Sequence, residues 1–402
     1  MNYSSNVENS AGYVYYDLQI KNLANTKVPD NLIQLKFNEQ RTSPIIDKAD
    51  AYDMSITRFQ CDTYSLPVYV AEIQPNSLDR DTMIHDLILI YDNGTVQRFM
   101  GLTSLVWIPV DSTVSQPIPP SQTTNGYQVD SQYYWCYDYD HVLKIVNNAL
   151  LEAMNKLKND AILNPLYPVD FADVEAPFMA WNNDGSNTAT LYSRADLFNT
   201  AHTPTALNPL ITIHFNPTLY AMFNSLPITK SFLVDNGTVL SSPDYPPYYQ
   251  IMVDNFNGAN TIQGLFNVQT ERFIQTKQQY STISEWTPVS SLVFTSSTIP
   301  IVSNSLSDPK LYQNNNLIQL NRGGDNFANI ITDLCTDEQS YRGSLLYVPN
   351  AELRWISLTT SQPISQIDIQ VYWKSKTSKL IPFTLPSGGS CSMKILFRKK
   401  QY

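Results

Sequence analysis

Ile367-Asp368-Ile369-Gln370-Val371-Tyr372-Trp373-Lys374 alternates apolar and polar side chains without a break, and Lys394-Ile395-Leu396-Phe397 follows twenty residues later. A period of two places one set of side chains on each face of an extended chain, so both stretches predict half-buried strands. The same rhythm runs through Tyr16, Leu18 and Ile20, through Ile33, Leu35 and Phe37, and through Tyr52, Met54 and Ile56 toward Phe59. A hairpin is expected where Leu87-Ile88-Leu89-Ile90-Tyr91 passes through Asp92-Asn93-Gly94 into Thr95-Val96-Gln97-Arg98-Phe99, because Asn-Gly tolerates positive φ. Further strands are expected at 210–215, 249–253, 291–294, 345–348, 354–358, 380–385 and 392–397. Short strands separated by Pro, Asn and Ser turns predict a mainly β chain built as a sandwich, not a parallel α/β sheet.

One segment departs from the rule. Val142, Ile145, Val146, Ala149, Leu150, Ala153, Met154 and Leu157 recur at spacings of three and four, which predicts a helix over 141–158 capped by Asp140. Residues 111–131 are rich in Ser, Pro, Gln and Thr and predict an exposed loop. The expected organisation is therefore N-terminal strands over 1–110, the loop over 111–131, a helix-containing insertion over 132–340 and closing strands over 341–402.

Charge is unevenly placed. The chain of 402 residues has a formal net charge of −10, yet residues 372–402 carry Lys374, Lys376, Lys379, Lys394, Arg398, Lys399 and Lys400 and no acid, leaving −17 for the rest. A basic, strand-like end on an acidic body suits contact with a neighbouring subunit or with nucleic acid. Charged residues make up only 15% of the chain, against roughly 25% in average proteins, and it holds 25 Tyr. That composition resembles protein–protein contact surfaces, and Tyr is also a good strand former. No apolar run is long enough to span a bilayer and the N-terminus lacks a signal-peptide pattern, so a soluble protein made in the cytosol or its equivalent is expected.

Residues able to do chemistry are sparse. Cys61, Cys136, Cys335 and Cys391 lie far apart and form no CxxC, and are expected to be free, mostly buried thiols. Asp138, Asp140 and His141 bring hard and borderline ligands together, but helix capping accounts for them. Asp333, Cys335, Asp337 and Glu338 place a thiol among carboxylates, which disfavours a reactive thiolate. Arg322-Gly323-Gly324-Asp325 predicts a plain turn, and Leu385-Pro386-Ser387-Gly388-Gly389-Ser390 predicts either a tight turn or an anion-binding nest. No nucleotide, hydrolase or metalloprotease motif occurs, so no enzyme activity, cofactor or metal is expected.

Three stretches carry a family resemblance: Ala51 to Phe59 with Leu66-Pro67-Val68; Tyr133-Tyr134-Trp135 leading to Asn147-Asn148-Ala149-Leu150; and the block from Ser344 to Lys400. In the last the recognisable pieces are Leu346-Tyr347, Glu352-Leu353-Arg354, Ile367-Asp368-Ile369 with Tyr372-Trp373, and Lys394 to Lys400. The chain resembles capsid and minor capsid (penton-like) structural proteins of small DNA viruses and related mobile elements. The resemblance implies a jelly-roll shell component located in the virion, without catalytic residues, assembled in the host nucleus or cytoplasm. Its implied partners are itself, in a ring of five for a penton, other capsid proteins, and packaged nucleic acid through the basic end. A double jelly-roll major capsid protein, which would form trimers, stays open. So does a carbohydrate- or receptor-binding spike module, for which Trp181, Tyr192 and Tyr245-Pro246-Pro247-Tyr248-Tyr249 supply aromatic rings.

Overall fold

The structure, a computed structural model, describes residues 12–23, 32–74, 81–94, 98–110, 132–163, 173–230, 234–235, 238–239, 248–254, 261–266, 269–302, 304–306, 311–313, 316–318, 326–335, 343–348, 353–376 and 379–400. Two compact units are present: Met1–Leu66 together with Pro288–Tyr402, and Pro67–Thr287.

In the first unit, Tyr13–Lys21, Ser390–Lys399, Tyr52–Asp62 and Ser344–Tyr347 are neighbours in that order in one sheet. The second sheet runs Lys36–Gln40, Gln366–Ser375, Val289–Thr295, Ile330–Cys335. Every pairing is antiparallel. Numbered along the chain, these eight strands stand first, eighth, third, sixth in one sheet and second, seventh, fourth, fifth in the other, which is the strand order of a jelly roll. Short strands Ile356–Ser357 and Leu380–Pro382 extend one edge of each sheet.

Alternation explains why these residues pair as they do. Ile367, Ile369, Val371 and Trp373 are all buried on the seventh strand, and Cys391, Met393, Ile395 and Phe397 on the eighth. Each such side chain contributes about 1.5–3 kcal/mol by leaving water, and a one-residue slip would expose the whole set. Asp368 is buried beside them and breaks the rule. It accepts hydrogen bonds from Ser296 Oγ at 2.7 Å, Ser297 N at 3.1 Å and Thr298 N at 2.8 Å, and from the hydroxyls of Ser297 and Thr298. These donors fasten the turn after the fourth strand to the seventh.

The second unit contains the long helix Tyr139–Leu163, shorter helices and two larger sheets. One sheet orders Ile228–Lys230, Tyr249–Ile251, Leu210–Phe215, Thr82–Asp92 and Arg98–Met100, with Thr103–Val106 also on Thr82–Asp92. The other orders Phe178–Trp181, Ala189–Arg194, Gln269–Lys277 and Thr261–Phe266. The helix packs its stripe, from Val142 to Leu157, into the core of this unit. Gly101 lets the chain pass close beneath it, since a Cβ there would lie 2.4 Å from Ala153 O. Tyr139 stacks on Trp181 at 4.5 Å, and Trp286 meets both rings edge to face.

Several expectations meet a different arrangement. The helix begins at Tyr139, earlier than expected, and Asp138, not Asp140, caps it by accepting from Asp140 N at 2.7 Å. The hairpin pairs Ile90 with Met100, Tyr91 with Phe99 and Asp92 with Arg98, so its loop is longer than a two-residue Asn-Gly turn. Gly94 has φ 77°, and Asp92 Oδ1 accepts from Gly94 N at 2.9 Å. The expected boundaries at 110 and 340 differ from the division at 66/67 and 287/288. The strands of 69–106 join the helix-containing unit, whereas 289–335 supplies two strands of the jelly roll. The expected loop at 111–131 lies outside the described residues.

Candidate assembly face

Strand register decides where the basic end goes. In the first sheet Asp17 pairs with Lys394 and Lys394 with Arg58, so an acid and two bases stand in one row across three strands. Asp17 takes Lys394 Nζ at 3.8 Å and Arg58 Nη2 at 3.4 Å. In a second row, four residues further along the eighth strand, Tyr13 pairs with Arg398 and Arg398 with Asp53. Asp53 accepts from Arg398 at 3.2 Å and Ser357 Oγ at 2.8 Å, with Lys400 Nζ at 3.9 Å. The Arg398 guanidinium also lies 4.0 Å from the centre of the Trp355 ring, a cation–π contact.

Three of the seven predicted contact residues, Lys394, Arg398 and Lys400, thus meet carboxylates of their own sheet. Lys399 beside them is exposed. Lys374, Lys376 and Lys379 lie at one end of the other sheet: Lys374 is the last residue but one of the seventh strand, Lys376 N beyond it donates to Pro288 O, and Lys379 N donates to Ser375 Oγ at 3.1 Å. The basic end is two groups on two sheets. The pairs are partly exposed, so each contributes at most about 1 kcal/mol.

Around the ion pairs the first sheet presents aromatic and apolar surface. Tyr13 is 53% and Tyr15 60% exposed on one edge strand, and Leu346 is 62% exposed on the opposite edge strand. Lys394 Nζ lies 5.2 Å from the Tyr15 ring centre. Exposed tyrosines held rigidly on a strand suit protein contact, because they bury large area at little entropic cost. Sequence reasoning passed over Tyr13, Tyr15, Asp17, Asp53, Arg58 and Trp355. The alternation of Tyr13, Tyr15 and Asp17 with Val14 and Tyr16 carried the signal for an outward face.

The remaining candidates take structural places. His141 is buried, its Nε2 2.7 Å from Ile108 O, and burial lowers its pKa. His85 lies 3.4 Å from the Tyr69 hydroxyl, with its pKa lowered to about 4 by burial. Asp333 pairs with Arg354 at 2.8 Å, and Cys335 is exposed at the end of its strand. Asp337, Glu338 and Arg322 to Asp325 lie outside the described residues. The Gly388 amide donates to Asn22 O and the Gly389 amide to Pro386 O, so Leu385 to Ser390 is a tight turn whose amides are engaged. Trp181 stacks on Tyr139 and Tyr192 on Phe178, and Tyr249 meets Tyr220 at a tilt of 33°, so these rings pack against other rings of the same chain. Tyr245 to Pro247 lie outside the described residues. No described helix is long and apolar enough to cross a membrane.

A family model described as Sputnik minor capsid protein V18/19 matches residues 14–399. Among the relatives, structural protein V19 of Sputnik virophage is 30% identical over 131 residues, or 32% of this chain and 56% of V19. Protein V18 of the same virophage is 29% identical over 160 residues, or 39% of this chain and 92% of V18. The aligned stretch thus spans little more than half the length of V19. A chain in the cryo-EM structure of the Sputnik virophage superposes with a TM-score of 0.74 at 25% identity, covering 97% of this chain and 99% of that one. The mavirus penton protein, known from a crystal structure, shares the fold with a TM-score of 0.57 at 15% identity over 96% of this chain and 99% of its own.

Proposed function

The chain belongs to the Sputnik minor capsid protein V18/19 family, a viral capsid structural protein of jelly-roll fold, and on that premise we propose that it forms the vertex of a virion shell as a ring of five copies. The observation that carries this reading is the strand order of the first unit. One jelly roll is made from both ends of the chain, and residues 67–287 are inserted between its third and fourth strands. A double jelly-roll protein would instead place two complete eight-strand sandwiches in succession. The likeness in fold to the mavirus penton protein supports the same choice.

Neighbouring copies meet through the exposed Tyr13 and Tyr15 edge, and other capsid proteins adjoin the ring. The role is structural and not enzymatic, and assembly takes place in the host nucleus or cytoplasm. Genome contact through the basic end is the weaker reading, because Lys394, Arg398 and Lys400 already meet Asp17 and Asp53. Negative-stain electron microscopy and light scattering of purified protein test the proposal. Five-membered rings are expected; trimers would favour the major-capsid reading, and a strict monomer at every salt and pH tried would remove the ring.

A further inference from the structure

Cys61 and Cys391 face one another in register on adjacent strands of the jelly roll. Cys61 is 0% and Cys391 4% exposed. Directly opposed residues of an antiparallel pair have Cα atoms roughly 4.5 or 5.5 Å apart, and both spacings fall in the ~4.4–6.8 Å range a disulfide accepts. The two side chains point to the same face of the sheet, toward the core, where both are buried and the Cys61 thiol donates to Asp62 O at 3.3 Å. Each also lies one residue from its strand's end, Cys61 before Asp62 and Cys391 after Ser390. Strand ends open locally far more often than strand centres.

We propose that Cys61 and Cys391 are a latent disulfide, kept as two thiols while the protein folds in a reducing cell and closed once the particle reaches an oxidising medium. The step needs a small-molecule disulfide as oxidant. One thiol loses its proton and attacks a sulfur of that disulfide, releasing a thiol and leaving a mixed disulfide. The second cysteine then attacks the protein sulfur, loses its proton and expels the second small thiol. Two protein thiols are oxidised and one external disulfide is reduced to two thiols. Burial raises the Cys391 thiol pKa, and the neighbouring Cys61 thiol and Asp62 carboxylate push it the same way. Cys391 therefore stays protonated, and the buried pair reacts only through local opening, which keeps it reduced during assembly. The closed bond would join the third strand to the eighth and enclose the inserted unit within one covalent loop.

Purified full-length protein, incubated with oxidised glutathione, alkylated and digested without reductant, tests this by mass spectrometry. A Cys61–Cys391 linked peptide is expected, together with faster migration on a non-reducing denaturing gel, and Cys391→Ser should abolish both. If that variant does not fold, the linked peptide in the unsubstituted protein decides alone. The proposal is overturned if Cys61 and Cys391 are both recovered alkylated after oxidation for longer than their amides take to exchange with deuterium. Recovery of Cys335-linked dimers as the sole disulfide product would overturn it equally.

Discussion

Phe59 and Phe294 meet edge to face, their ring centres 4.9 Å apart and their planes at 82°. One ring comes from the third strand, before the inserted unit, and the other from the fourth, after it, so their contact joins the two sheets. Phe294→Ala should cost about 3–5 kcal/mol through lost burial and the cavity left behind. A double-mutant cycle with Phe59→Leu should return a coupling of about 1 kcal/mol, measured by urea unfolding.

Asp368 should matter in acid. Burial would raise its pKa, but hydrogen bonds from Ser297, Thr298 and Ser296 hold it at about 2. A carboxylate lowered on folding stabilises fully above its unfolded value, 3.8, and that stability is lost as pH falls from there toward about 2. Asp368→Asn should lower stability at neutral pH by about 2 kcal/mol and flatten this part of the profile. Urea midpoints measured between pH 5 and 2 check the slope.

His85 gives a second, separate window. Its folded pKa of about 4 lies below the ordinary 6.5, so the unfolded chain takes up a proton first as pH falls. Stability should therefore decline between pH 6.5 and 4 by about 3 kcal/mol, and this contribution should level off below. His85→Asn should remove the decline in that window. An unchanged slope would place the proton uptake elsewhere.

Arg398 and Tyr15 should separate folding from assembly. Arg398→Gln removes the Asp53 pair and the Trp355 contact, and should lower stability by about 1 kcal/mol. Tyr13→Ser with Tyr15→Ser, on an exposed face, should leave the thermal midpoint within a few degrees yet weaken oligomer formation about tenfold or more, read by light scattering. If assembly is indifferent to the tyrosines, the interface lies on another face.

The strands were legible because burial on one face writes a period of two: Leu210–Phe215 matches its expected bounds, and Gln366–Ser375 extends the expected run by a residue or two at each end. Which strands share a sheet was not legible. Period two says that Thr82–Asp92 and Val289–Thr295 are strands, but the first pairs with Leu210–Phe215, more than a hundred residues on, and the second with Gln366–Ser375, about seventy residues on, and only long-range packing assigns them to different units. The basic end shows the same limit. A run of seven bases looks unpaired along the chain, whereas register sets Lys394 beside Asp17 and Arg398 beside Asp53. Sequence read the charge; pairing across the sheet supplied its partners.

The most direct test of the vertex assignment is a cryo-EM reconstruction of intact particles, with density averaged about the five-fold axes. The account predicts five copies of this chain around each five-fold axis and none on the faces between. Density for the chain in trimers across the faces, with another protein at the five-fold axes, would contradict it.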